Sequence, residues 1–356
     1  MEQSSVAAID TATDLKLAVE GILNYIEHER EKEIITRRFG LYDRKETLEQ
    51  IGELLGITRE RVRQLEKSIL TKLKSATEDG KIPEIRDIER AIVRQLSENG
   101  KAAIISDLTS SLLNGNKDYQ KLISHVGFVA ELAPNLTVIS ENDHYRHAVA
   151  IAEYGDEKSI KKKVDEVLKM IKEHGEPILT DDLYKKLDHY EHPSYVRALA
   201  SISKHLATLH DKWGLVRWPT VNPKNIRDKI FVILNKNNSP MHFSDIANSI
   251  KKSSFKRKDV TTQAIHNELI KDKRFVLIGR GIYALGSWGY KKGTVADAIT
   301  SVLEKANEPL HRDEIVKRVL KSRQVKETTI ILNLQSRPEF KRVTKATYAL
   351  VSTEAK

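Results

Sequence analysis

Apolar positions along this chain recur at spacings of three and four, the period of a helix with one buried face. Strand-like runs are short and fall late in repeating units. The pattern predicts helices to about residue 79, where Gly80 and Pro83 in EDGKIP interrupt it. Beyond that break the chain repeats. Each copy opens with an amphipathic helix, passes a turn, and resumes as a short second helix with an acidic residue near its start. The copies read IRDKIFVILNKNNSPMHFSDIANSI (226–250), VADAITSVLEKANEPLHRDEIVKRV (295–319), KKKVDEVLKMIKEHGEPILTDDLYKKL (161–187) and, more faintly, IERAIVRQLSENGKAAIISDLTSSLL (88–113). Their turns at Ala102, Pro177, Pro240 and Pro309 lie 75, 63 and 69 residues apart, an interval that suits three helices followed by a hairpin.

The hairpin is clearest in the third copy, where FVLI (275–278) and IYAL (282–285) flank Gly279, Arg280 and Gly281. In the fourth, FKRV and TYAL flank Thr344, Lys345 and Ala346; the first two copies should end around 128–151 and 213–221. Three helices and a two-stranded wing make the winged-helix arrangement. The expected fold is therefore mainly α, an N-terminal helix-turn-helix followed by tandem winged-helix units with short β-hairpin wings. The expected domains are 1–79, 84–152, 157–222, 223–291 and 293–353.

The helix-turn-helix lies in REKEIITRRFGLYDRKETLEQIGELLGITRERVRQLEKSILTKLK (30–74). TLEQIGELLG reads as a short helix stopped by Gly56, after which Thr58 caps a new helix. On that helix Val62, Leu65, Ile69 and Leu73 form the buried stripe, and Glu60, Arg63, Gln64, Lys67 and Lys74 face the other way, with Arg59 at the N-terminal end. Such a helix places its first residues at base edges in a major groove, where Arg suits guanine, Gln adenine and Glu cytosine.

RRFGL (37–41), TLEQIG (47–52) and LGITRERVRQLE (55–66) resemble region 4 of bacterial sigma-70-family factors. The resemblance covers about 50 of the 356 residues. It implies double-stranded DNA as a partner, with −35 promoter contacts at Arg59, Glu60, Arg63 and Gln64; the helix start at Thr58 and the outward Lys67, read from the residues themselves, complete the DNA-binding candidates on this helix. It also implies RNA polymerase as a partner, docked on its β flap through Arg37, Arg38, Phe39 and Leu41. Nothing resembles the promoter-melting region 2, and the chain before residue 30 is too short to hold it, so promoter opening is not expected of this chain alone. PMHFSDIANSI (240–250) with IHNELIKDKRFVLIGRGIYALGSWGY (265–290) is similar to the HARE winged-helix domain of the RNA polymerase δ subunit and some chromatin and restriction proteins. The fourth copy looks like a diverged relative. In the third, Gln263 and Asn267 face outward beside Lys256, Arg257 and Lys258, with Arg280 at the wing tip, a candidate DNA surface.

Charge sharpens this picture. The chain carries 60 Lys and Arg against 50 Asp and Glu, net +10, with a pI near 9.3. Residues 59–74 hold +4, residues 251–280 +6 and residues 312–345 +6, leaving −6 elsewhere. Basic runs on predicted helices and hairpins favour phosphate contact. The first two repeats, where the acidic remainder concentrates, read better as spacers or protein-docking modules. With no cysteine, thiolate metal sites, disulfides and a Cys nucleophile are excluded, and a reducing compartment is fitting. The pairs His144/His147 and His189/His192 lack a completing ligand set, and His242 and His311 recur at equivalent turns, which favours capping or packing; no metal is expected. There is no GxxxxGK[ST] loop, GxSxG elbow or HExxH helix, so neither cofactor nor enzymatic activity is expected. No apolar run reaches the roughly 18–20 residues of a membrane span and no secretory signal is readable, which predicts a cytoplasmic protein with no membrane partner. The expected function is a DNA-binding transcription protein. The alternatives are a polymerase-bound scaffold with little DNA affinity of its own, or a module for modified DNA.

Overall fold

The computed structural model describes residues 11–113, 119–255, 259–290 and 292–351. The described residues form sixteen α-helices and twelve short strands, in two compact units that divide between Val216 and Arg217.

The first unit begins with α1 (Thr11–Asn24), α2 (Glu29–Phe39), α3 (Leu48–Leu55) and α4 (Arg59–Glu78). Next come α5 (Glu84–Asn99), β1 (Ala102–Ile104), α6 (Ile105–Leu112), α7 (Tyr119–Leu132), β2 (Leu136–Ile139) and β3 (Ala148–Ile151). The unit closes with α8 (Glu157–His174), β4 (Ile178–Leu179), α9 (Thr180–Lys186), α10 (Pro193–Ile202), β5 (Leu206–Leu209) and β6 (Lys212–Leu215). The second unit repeats that order twice. Its first copy is α11 (Ile226–Asn237), β7 (Met241–His242), α12 (Phe243–Lys252), α13 (Thr262–Lys271), β8 (Phe275–Gly279) and β9 (Ile282–Leu285). Its second is α14 (Val295–Ala306), β10 (Leu310–His311), α15 (Arg312–Leu320), α16 (Glu327–Ser336), β11 (Phe340–Thr344) and β12 (Thr347–Leu350).

All four repeats build the same antiparallel three-stranded sheet: β1-β3-β2, β4-β6-β5, β7-β9-β8 and β10-β12-β11. The first strand of each sheet is new relative to the sequence pattern. It occupies the turn between the first two helices and has only two or three residues, too few to show an alternation. The second repeat's hairpin is Leu206–Leu215, ahead of the 213–221 stretch expected to hold it. Its turn is made by His210 and Asp211, both with positive φ (51° and 59°), so no glycine marks it. The turn histidines cap helices: the ring nitrogens of His242 and His311 accept from the amides of Ser244 and Asp313, each at 3.3 Å.

One apolar core runs from α1 to β3, across the break at Gly80 and Pro83. Leu15, Ala18, Val19 and Ile22 of α1 are fully buried, and they cover the buried face of α5, including Ile85, Ile88 and Ile92. In the second unit, the α15–α16 connection lies along the outer edge of β8: Gln324 N donates to the Ile278 carbonyl (3.0 Å) and Arg323 Nη1 to that of Leu277 (2.8 Å). These bonds tie the last two repeats together.

Candidate nucleic-acid interface

Local chemistry fixes the turn between α3 and α4. Thr47 and Gln50 form a reciprocal capping box that starts α3. Gly56 ends it at φ 64°, and the Ile57 amide folds back to the Gly52 carbonyl at 2.9 Å. The turn passes so close to α3 that a Cβ on Gly52 would sit 2.6 Å from the Ile57 carbonyl oxygen. Thr58 then caps α4 by accepting from the Arg61 amide at 3.2 Å. Ile34 of α2, Ile51 of α3 and Val62 of α4 meet as a fully buried triad, flanked by Leu48, Leu55, Ile57 and Leu65, which sets the angle between the helices.

With Val62, Ile69 and Leu73 inward, the opposite side of α4 is left to solvent. Thr58, Arg59, Glu60, Arg63, Gln64 and Lys67 are all exposed. Arg63 grips Glu60 with two hydrogen bonds (Nη2–Oε1 2.7 Å, Nε–Oε2 2.9 Å), and Gln64 Nε2 donates to the same carboxylate at 3.4 Å. Arg63 holds the Glu60 carboxyl below the usual carboxylate range, and Glu60 in turn raises the Arg63 guanidinium. Arg63 and Gln64, two of the four base-contact candidates, therefore share the carboxylate of a third, Glu60, on an exposed surface, where water screens the pair and lets it exchange for another acceptor. Arg61, outside the candidate set, is also exposed, and its Nη1 lies 3.5 Å from Gln64 Oε1, so it adds charge beside the candidate residues.

The RRFGL stretch has a different setting. Arg37 pairs with Glu33 and Glu46, and Arg38 with Glu66 of α4, so both arginines brace the helix-turn-helix. Phe39 packs on Phe128 of α7 with ring centroids 4.7 Å apart and keeps partial exposure. Leu41, expected at a partner surface, is a core residue at 3% exposure. The left-handed Gly40 turns the chain inward there, and the Leu41 amide closes on the Thr36 carbonyl.

In the third repeat, Ile265 and Leu269 of α13 are buried, while Gln263 and Asn267 lie exposed one turn apart, joined by a 3.2 Å hydrogen bond. Arg280 is exposed at the tip of the β8–β9 hairpin. The next residue, Gly281, has φ 70°, and a Cβ there would meet the His242 ring at 2.5 Å. Lys256, Arg257 and Lys258 lie outside the described residues. Among the described residues no helix is long and apolar enough to cross a membrane.

The arrangement at 47–74 defines a helix-turn-helix whose second helix exposes a polar, basic face. The family model for Sigma-70, region 4 matches residues 28–75. The chain is similar to the RNA polymerase sigma factor RpoD of Helicobacter pylori strain 26695, at 46% identity over 78 residues, 21% of this chain and 12% of that protein. It is also similar to the RNA polymerase sigma factor sigB of Arabidopsis thaliana, at 55% identity over 47 residues, 13% of this chain and 8% of that protein. The chain thus spans about an eighth of the length of the RpoD it matches. No solved structure matches it.

Proposed function

We propose that this chain is a non-catalytic transcription protein that lays the N-terminal end of α4 into the major groove of −35-like promoter DNA and works with RNA polymerase. The observation that carries this reading is a rigidly capped helix-turn-helix, within the segment matched by Sigma-70, region 4, whose exposed face is Arg59, Glu60, Arg63, Gln64 and Lys67. In this reading Arg63 and Gln64 exchange their shared hold on Glu60 for base edges, and Lys67 takes a phosphate. Polymerase contact at the β flap falls to the partly exposed Arg37, Arg38 and Phe39, and Leu41 supports the loop from below. The modules 84–152, 157–222, 223–291 and 293–353 serve as winged-helix units, the third of HARE type. It contributes phosphate contacts from Gln263, Asn267, Arg280 and the basic run 256–258. The setting is cytoplasmic. A selection for bound duplex sequences, run with and without polymerase, tests this reading: it should enrich one −35-like motif, and an unenriched pool in both arms contradicts it.

A further inference from the structure

The second unit carries a recess, about 390 Å³ in volume, between α14 and the end of α15, which the proposed DNA contacts leave unused. That size lies within the range of small-ligand sites. Its wall holds Lys292, Lys305, Arg318, Lys321 and Arg323 against one carboxylate, Asp297. The carboxylate is already committed to capping α14: Asp297 Oδ2 accepts from the Thr294 amide at 2.6 Å and from its hydroxyl at 2.9 Å. Arg323 is 94% buried by its 6% exposure, and its bond to the Leu277 carbonyl anchors a positive charge in the wall instead of leaving it on a free surface chain. Burial pushes the Arg323 guanidinium down, with Asp297 opposing. Arg318 pairs with Glu314 at 2.6 Å, an exposed contact that an incoming anion can replace. Ala298 and Val302 add an apolar strip, and Ser301 and Ser322 add hydroxyls.

We propose that this recess binds a compact polyphosphate-bearing small ligand of nucleotide size. Five cations crowded round so small a volume repel one another, Asp297 and the Glu314 paired with Arg318 offset only part of that charge, and a multiply charged anion offsets the rest. The apolar strip on α14 suits the non-phosphate part of such a ligand. The site is independent of the DNA reading at α4.

The test titrates the full chain by calorimetry with sodium tripolyphosphate, and in a separate arm with a short DNA duplex. Lys305→Gln combined with Lys321→Gln changes two exposed side chains and should weaken tripolyphosphate about tenfold or more, leaving duplex affinity within about twofold. Ser301→Tyr, which fills the recess and keeps every charge, should weaken tripolyphosphate likewise. Absent tripolyphosphate binding, equal binding by parent and variants, or a loss confined to the duplex overturns the proposal.

Discussion

Arg63 and Lys67 sit one turn apart on the same exposed face of α4, yet their chemistry separates them. Arg63 has a planar fork already seated on the Glu60 carboxylate, and that fork matches a guanine edge; Lys67 is a point charge. Arg63→Ala should therefore cost about ten- to a hundredfold on the specific site and relax preference at one base pair, read by competition with a random duplex. Lys67→Ala should weaken all sequences alike and lower the salt slope by about one. A sequence-selective loss from Lys67→Ala would sink the phosphate assignment. The outward position of these residues was legible in the spacing of Val62, Leu65, Ile69 and Leu73. The burial of Leu41 was not, because the core it joins is assembled from residues as distant in the chain as α1, α5 and α7.

At the scale of elements, the α3–α4 turn depends on a residue with no side chain. Gly52→Ala puts a Cβ against the Ile57 carbonyl, and overpacking of this kind costs about 1–3 kcal/mol. Denaturant unfolding should show that loss, and an unchanged midpoint would show that α3 shifts freely. The helices, the Gly56 stop and the Thr58 cap were readable because each has a local signature. The third repeat's hairpin was readable for the same reason, through its glycines. The second repeat's hairpin was displaced because His210 and Asp211 make a left-handed turn without one. The opening strands β1, β4, β7 and β10 have no local signature: each exists only through pairing with a strand about 35–50 residues later.

At the scale of the whole molecule, the sequence break at Gly80 and Pro83 marks a bend between helices and not the end of a core. The reason is α1, whose buried face has α5 and α7 as its partners. Ile22→Ala should open a cavity worth about 2–5 kcal/mol, and hydrogen exchange should report weaker protection in both α1 and α5. Protection lost in α1 alone would contradict the shared core. The net +10 is likewise a sum of local surfaces over an acidic remainder, and only the surface on α4 coincides with a family match. The account stands on that surface binding DNA directly. The measurement that tests it most directly is the affinity of the full chain for a duplex bearing its selected site, by fluorescence anisotropy at two salt concentrations without polymerase. Micromolar or tighter binding that falls steeply with salt and is weakened by Arg63→Ala is the predicted result. Binding only when polymerase is present, or binding indifferent to Arg63, contradicts it.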